Sequence, residues 1–180
     1  QGVDRVILLS HFGYENDLAL AQKTSGIDII VGGDSHSLLG DLSDLGLKPN
    51  GSYPTMVSDA SGNDVCVVTA WEYSQIVGEL HAEFDGQGNI TSCMGTPHMM
   101  LADSFKRKNA DGERVEIEEG YRDAVYSVIK VNPSLSIVEP DADAQALLAS
   151  YSSKIDEFSS EIIGSVSEDL CLERIPGQGK

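Results

Sequence analysis

The sequence predicts an α/β fold that opens with a βαβ unit and continues into a meander of antiparallel strands. Two strand segments, at 3–9 and 27–32, carry the apolar β-forming residues of 6–9 and 27–31 and flank a segment of helical character at 15–25. Such apolar runs are typical of buried parallel strands, and the crossover between them should be right-handed. Apolar and polar residues then alternate along 75–84, which is the pattern of a half-buried antiparallel strand.

The helix of the βαβ unit is predicted from its apolar positions and from the glycine that follows it. Leu18, Leu20 and Ala21 can face the sheet, and Gly26 occupies a place where glycine often ends a helix. After the second strand, residues 37–54 are rich in glycine and proline. This composition predicts a surface loop beside the end of that strand.

Two hairpins are predicted next, each from a turn sequence between two β-rich segments. The turn sequences are Ala-Ser-Gly-Asn at 60–63 and Asp-Gly-Gln-Gly at 85–88. The flanking strands are expected at 55–58, 64–71, 75–84 and 89–94.

The last third of the chain predicts two helices after a polar segment. Residues 103–114 are polar and predict a loop or a protruding hairpin, and residues 119–130 predict a helix. The longest helix is expected at 141–163, because apolar residues recur there at alternating steps of four and three. This stripe consists of Ala144, Leu148, Tyr151, Ile155, Phe158 and Ile162. A connector to a following domain and an ordinary packing helix both explain the pattern.

Composition and charge limit the classes of partner. The chain has 180 residues, 41% of them hydrophobic, which is enough for a domain of ordinary size with a core. Its formal net charge of −17 argues against a nucleic-acid backbone or an anionic membrane surface as the main partner. The negative charge does not exclude a small phosphorylated ligand, because a bound metal ion would dominate the local electrostatic field. The sequence contains no run of about 18 apolar residues, so it predicts no membrane-spanning helix.

The cysteines and the chain ends give two further expectations. The three cysteines show no metal-binding spacing, and Cys66 lies inside an apolar run, which predicts a buried free thiol. The cellular compartment therefore cannot be inferred from cysteine usage. The chain begins almost directly in a strand and ends on Gly-Gln-Gly-Lys, so we interpret it as an internal piece of a longer protein.

Candidate functional residues follow the two parallel strands of the opening unit. His11 lies in Ser-His-Phe-Gly at 10–13, and Asp34 and His36 lie in Gly-Gly-Asp-Ser-His-Ser at 32–37. Ligands of open α/β sheets bind at the carboxyl ends of the strands, so these side chains should share one edge. In an extended loop, Asp34 and His36 would point the same way. Two imidazoles and a carboxylate predict part of a metal site. A histidine bonded to backbone, an Asx turn and a helix N-cap are the structural alternatives.

Four other residues capable of chemistry or stacking are assigned simpler roles. His81 alternates with acidic residues along a strand and is expected on a solvated face. His98 is expected in a loop or at a strand start, where it could line a cleft. Trp71 and Tyr73 are interpreted as aromatic residues of the core or of a sheet face.

Together these motifs resemble the second half of the calcineurin-like metallophosphoesterase domain. More specifically, the chain resembles bacterial periplasmic 5′-nucleotidases, especially their NAD nucleotidase branch. The resemblance runs along nearly the whole chain. It rests on the two motifs above, on Gly-Ile-Asp-Ile-Ile-Val at 26–31 and on Ala-Trp-Glu-Tyr-Ser at 70–74. Arg-Ile-Pro at 174–176 resembles the start of the family's C-terminal nucleotide-binding domain.

The resemblance implies a centre of two divalent ions, either zinc, manganese or magnesium. His11 and Asp34 would hold one ion and His36 the other. Asp34 stands where many relatives have histidine, which makes the site more anionic. The family's early ligand motifs and its Asn-His dyad are not found in this chain. We therefore expect at most half of a metal site here, no catalytic residue, and no assignable substrate-binding residue.

The resemblance also implies a domain organisation. Residues 1–138 would be the C-terminal half of a metallophosphoesterase β-sandwich flanked by helices. Residues 139–164 would be a long linker helix that acts as a hinge between domains, and residues 165–180 would begin the nucleotide-binding domain. The implied partners are the missing N-terminal half and C-terminal domain of the same protein.

The implied activity of the parent protein is hydrolysis of nucleotide phosphate esters such as AMP, extending to the pyrophosphate of NAD. The implied location is periplasmic or extracellular. Two alternatives remain open at this point. The chain could be an inactive, metal-free binding or scaffold fragment, or the parent could act on another substrate such as a 2′,3′-cyclic nucleotide.

Overall fold

Three small β-sheets and three α-helices make up the part of the chain that the computed structural model describes, residues 2–168. The fold is therefore mixed α/β, as predicted. The strands are β1 Ile7–Leu9, β2 Ile29–Val31, β3 Thr55–Ser58, β4 Asp64–Val68, β5 Ile76–Phe84, β6 Ile90–Leu101, β7 Lys106–Lys108, β8 Arg114–Glu116 and β9 Leu135–Ile137. The helices are α1 Tyr14–Lys23, α2 Glu119–Val131 and α3 Ala142–Ser159, with a 3-10 turn at Ser43–Leu45.

The first sheet has the strand order β1-β2-β4-β3. β1, β2 and β4 run parallel, and β3 pairs antiparallel with β4. Leu9 pairs with Val31, and Val31 pairs with Val68, so the three parallel strands end level with one another. The predicted βαβ unit is confirmed. β4, which we expected only as half of a hairpin, also extends the parallel part of the sheet.

Helix α1 packs on one face of this sheet, and the residues between them form the larger of two buried clusters. Its buried members include Tyr14, Ala21 and Ile30, with Leu18 packed at its margin. The expectation that Gly26 ends the helix is wrong. Helix α1 ends at Lys23, and the extended backbone of Thr24 follows it. Gly26 has a φ of +81° and lies in the turn that leads into β2.

The second sheet has the order β5-β6-β9, with β5 and β6 antiparallel and β9 parallel to β6. β6 continues well beyond the predicted 89–94, because its register with β5 extends from Ile90 to Met99. Gly78 and Gly95 lie where any larger side chain would collide with the ring of Tyr53. Burial, together with the nearby carboxylate of Glu79, raises the pKa of the Tyr53 hydroxyl.

A disulfide joins Cys66 on β4 to Cys93 on β6 and so ties the first sheet to the second. Cys66 is fully buried, as its apolar surroundings predicted. The expectation of a free thiol is wrong, because the meander folds Cys93 back over β4. Sequence spacing could not show this pairing, since the two cysteines are 27 residues apart and lie on strands of different sheets.

The rest of the chain follows the predicted order of elements. The polar segment after 103 forms the hairpin β7–β8, and α2 lies close to its predicted bounds. The chain divides into two compact units between Glu139 and Pro140. In the second unit, Asp141 caps α3 by accepting a hydrogen bond from the Ala144 backbone N–H at 2.8 Å.

Cys171 and the Arg-Ile-Pro motif lie outside the described residues, as does most of the domain expected from 165 onward. Among the helices that the structure describes, none has the length and apolar character required to cross a membrane.

Replacing both disulfide cysteines, in C66A/C93A, is expected to lower the free energy of unfolding. The bond closes a loop of 27 residues, for which loss of unfolded-chain entropy predicts about 3.5 kcal/mol of stabilisation. Urea unfolding with and without reductant measures the difference. The wild type under reducing conditions should lose a similar amount.

Full alkylation of Cys66 and Cys93 in the denatured, unreduced wild type would contradict the disulfide. Peptide mapping by mass spectrometry would show it directly, because a disulfide protects both residues until reductant is added.

Candidate metal centre

The candidate site lies where β1, β2 and β4 end. These strands are parallel and level, so the loops that follow them emerge at one edge of the first sheet. The three loops are residues 10–13, 32–37 and 69–75. This is the edge at which ligands bind in open α/β sheets.

His11 and Asp34 meet at this edge. The Nε2 atom of His11 lies 3.4 Å from Oδ1 of Asp34, and both side chains are exposed, at 82% and 58%. A Cβ atom on Gly33 would lie 3.3 Å from Nδ1 of His11, so a glycine here leaves room for the imidazole against the turn. The structure thus brings together two of the three predicted ligands, one from each strand end.

His36 belongs to a different contact. Its Nδ1 atom lies 3.0 Å from Oε2 of Glu72, and its ring meets the ring of Tyr73 edge-on with centroids 5.1 Å apart. The loop is not extended, since Asp34 and His36 have φ values of +69° and +49°. The expectation that these two side chains point the same way is therefore wrong. Asp34 turns to His11, and His36 turns to the loop after β4.

Ser35, between the two candidate ligands, fixes this loop to α1. Its hydroxyl accepts a hydrogen bond from the backbone N–H of Tyr14, the first residue of the helix, at 3.0 Å. It also lies 2.9 Å from the hydroxyl of Ser37. A free N–H at a helix start is thereby satisfied from another part of the chain. The next helical turn begins only at Ser43, so Asp34 is not a helix N-cap.

The loop after β4 forms one wall of a cleft of about 510 Å³. Gly32 and Gly33 contribute to its lining, along with Thr69 and most of the residues through Val77. Trp71, Tyr73 and Ser74 have positive φ, an unfavourable conformation for residues with a side chain. Backbone strain of this kind is concentrated at functional sites, where the surrounding structure sustains it.

Glu72 is the site residue that sequence reasoning missed. Its side chain is 27% exposed and faces His36. Glu72 follows an apolar strand as His11 and Asp34 do, but only the pairing of β4 with β2 places it at this edge. Of its aromatic neighbours, Trp71 packs against a buried cluster as expected, whereas Tyr73 is 78% exposed and lies beside His36.

The other two histidines lie on the second sheet. Glu79 bridges them, with Oε1 at 2.7 Å from Nε2 of His81 and Oε2 at 2.9 Å from Nε2 of His98. These two hydrogen bonds lower the pKa of Glu79, that of His81 contributing most. His81 is 73% exposed, as expected for a solvated face. His98 lies within β6 rather than in a loop, and it is not part of the cleft lining.

The donor atoms at the sheet edge suit a divalent cation. Imidazole nitrogen together with carboxylate oxygen is a common ligand set for zinc and manganese. Within residues 2–168, no three His, Cys, Asp or Glu side chains are grouped so that they could hold a metal ion. The described residues therefore fit part of a metal centre, namely the adjacent donors His11 and Asp34 and a third donor, His36, farther along the Asp34 loop.

Comparison with known proteins identifies relatives along almost the whole chain. No protein-family model matches it. It is 37% identical over 170 residues to a probable 5′-nucleotidase of Treponema pallidum, covering 93% of this chain and 29% of the relative. It is 34% identical over 170 residues to the NAD 5′-nucleotidase of Haemophilus influenzae, covering 93% of this chain and 28% of the relative.

A solved structure agrees with these sequence matches. The NAD nucleotidase of Haemophilus influenzae superposes with a TM-score of 0.82 at 35% identity, over 91% of this chain and 33% of that one. The chain thus spans less than a third of the length of the curated relatives it matches. Over the segment that it covers, the chain matches members of the 5′-nucleotidase and NAD nucleotidase family in both sequence and structure.

Proposed function

We propose that the parent protein is a metal-dependent 5′-nucleotidase and that this chain supplies part of its metal centre. The observation that supports this best is the His11–Asp34 pair, in which two ligand-type side chains from adjacent parallel strands meet at the sheet edge. Membership of a nucleotidase family gives the pair its chemical context. The reaction would be hydrolysis of a nucleotide phosphate ester.

In this proposal, His11 and Asp34 hold one divalent ion and His36 contributes to a second. When bound, such ions would polarise the phosphoryl oxygens and lower the pKa of the attacking water. The chain's own residues would bind the ions and hold the ligand side chains in position. Ser35 fixes the Asp34–His36 loop against α1, and Gly33 leaves room for the His11 imidazole.

Glu72 would act on His36 as an orienting partner. A carboxylate 3.0 Å from Nδ1 favours the tautomer with its proton on that nitrogen, which presents Nε2 as a lone-pair donor. Metal-bound histidines commonly have a carboxylate on their second nitrogen, where it fixes the ring and raises its basicity. The ring of Tyr73, which meets the His36 imidazole edge-on, would limit rotation of that imidazole.

The rest of the metal centre would come from other segments of the same protein. β1 forms an open edge of the first sheet, and its side chains Ile7 and Leu9 are 60% and 79% exposed. An apolar strand edge of this kind invites pairing with a further strand. We propose that the missing N-terminal half of a metallophosphoesterase β-sandwich pairs there and adds the remaining ligands next to His11.

The proposed domain boundaries follow the family resemblance. Residues 1–138 would complete the catalytic sandwich, residues 139–164 would form the interdomain linker helix, and residues 165–180 would begin a nucleotide-binding domain. A hinge in the linker would let domain closure deliver the substrate.

The proposed substrates are AMP and, as a second activity, the pyrophosphate bond of NAD. The second is favoured by the close structural match to a NAD nucleotidase. The disulfide between Cys66 and Cys93 supports a periplasmic or extracellular location, because such bonds persist in oxidising compartments.

Replacing His11 or His36 by alanine in the full-length parent protein is expected to lower kcat/KM for AMP by roughly 100-fold or more. This is the size of effect seen when a preorganised group that stabilises the transition state is lost. Both side chains are exposed, so the variants should unfold at the same urea concentration as the wild type. His81→Ala is the matched control, since His81 is an exposed histidine on the second sheet. Wild-type turnover in H11A would exclude its role as a ligand.

Replacing Glu72 by glutamine should weaken the contribution of His36 without removing it. We expect about a 10-fold loss of Mn²⁺ affinity or of kcat, the lower end of the range for partners of metal ligands. Glu79→Gln is the control, because Glu79 also pairs with histidines but on the second sheet. An equal loss in both variants would argue against a specific role for Glu72.

The 19.3 kDa chain by itself is expected to show no metal-dependent hydrolysis of AMP or NAD, because it supplies only part of the centre. Adding a separately produced N-terminal segment of the parent protein should restore turnover. Intact-mass analysis establishes beforehand that each preparation is a single polypeptide. Failure of the two pieces to associate or to hydrolyse either substrate would favour the alternative of an inactive scaffold fragment.

A further inference from the structure

Asp17 is a fully buried carboxyl group on α1, and it contacts both loops that carry the candidate metal ligands. Aspartate is rarely buried completely unless a partner compensates for lost hydration. Its surroundings therefore need an explanation, and they connect it to both ligand-bearing loops.

The first connection is to the His11 loop. Oδ1 of Asp17 accepts a hydrogen bond from the Ser10 hydroxyl at 2.5 Å, and Ser10 is the residue immediately before His11. The backbone N–H of Asp17 also donates to the carbonyl of Gly13, at 2.9 Å, near the far end of the same loop.

The second connection is to the Asp34 loop. A Cβ atom on Gly32 would lie 2.5 Å from Oδ2 of Asp17, so the Gly32 backbone rests directly against the carboxylate. The Gly32 N–H donates to the carbonyl of Val68 at 2.7 Å, which anchors this turn to the end of β4. Any larger residue at 32 would have to displace either the turn or Asp17.

Oδ2 of Asp17 has no hydrogen-bond partner within the described part of the chain. Leaving a buried polar atom unsatisfied carries a desolvation cost that no hydrogen bond offsets. A well-packed apolar side chain would avoid that cost, so stability alone does not account for a carboxylate at this place.

We propose that Asp17 is a positioning residue of the metal centre. Through Ser10 on one side and Gly32 on the other, it sets the separation of the loops that carry His11 and Asp34. This inference rests on the proposed function, because it assumes that those two side chains bind one cation. It adds a residue that touches neither the metal nor the substrate.

The test is the Mn²⁺ affinity of the full-length parent protein, measured by chelator competition, together with urea unfolding of the metal-free protein. Asp17→Asn should lower Mn²⁺ affinity about 10-fold, within the range known for groups behind metal ligands. Ser10→Ala should lower it in the same direction, and Ser10→Thr, which keeps the hydroxyl, should retain most of it.

Asp28→Asn is the matched control. Asp28 also holds β1 with a carboxylate, accepting from the Val6 backbone N–H at 2.6 Å, but it lies at the opposite end of the strand. We expect D28N to lower stability and to leave Mn²⁺ affinity unchanged. The comparison of D28N with D17N separates a loss of stability in β1 from a displacement of the loops that carry the metal ligands.

Wild-type Mn²⁺ affinity in a folded D17N variant would overturn the inference, whatever its stability. If D17N does not fold, S10A decides the question, because it removes the connection to the His11 loop and keeps the carboxylate. Failure of the proposed function is a different result, namely a wild-type parent protein that binds Mn²⁺ and does not hydrolyse AMP. In that case the affinities of the variants still decide the role of Asp17.

Discussion

The level ending of three parallel strands is the constraint on which the candidate site depends. Leu9, Val31 and Val68 lie side by side in the register of β1, β2 and β4. Each strand is followed at once by a loop with a candidate side chain, so donors far apart in sequence reach the same edge. A one-residue slip in register would invert the faces of a strand and offset its loop from the other two by about 3.3 Å.

Local sequence patterns were sufficient to predict the elements that bring His11 and Asp34 together. Apolar runs predicted β1 and β2, and the short helical segment between them predicted their parallel pairing. The structure shows both strands and places the two side chains 3.4 Å apart. These features depend on contacts between neighbouring segments, which a single sequence encodes directly.

Features that depend on distant parts of the chain were not predicted. The turn at 60–63 indicated a hairpin, and the hairpin is present, but nothing local shows that β4 also pairs with β2. Glu72 was missed for that reason, since its place at the edge follows from β4. The disulfide also depends on packing of one sheet on another. The positive φ values of Asp34 and His36 reflect loop contacts that residue type does not reveal.

The electrostatics of the edge give a physical reason for proposing a metal-dependent reaction. The chain carries a net charge of −17, and the cleft lining contains Glu72 and, among the described residues, neither lysine nor arginine. Asp34 adds a second carboxylate at the same edge. A phosphate group would be repelled by such a surface in the absence of cations. A divalent ion inverts the local field, so the same carboxylates that disfavour a bare phosphate would favour the ion that binds it.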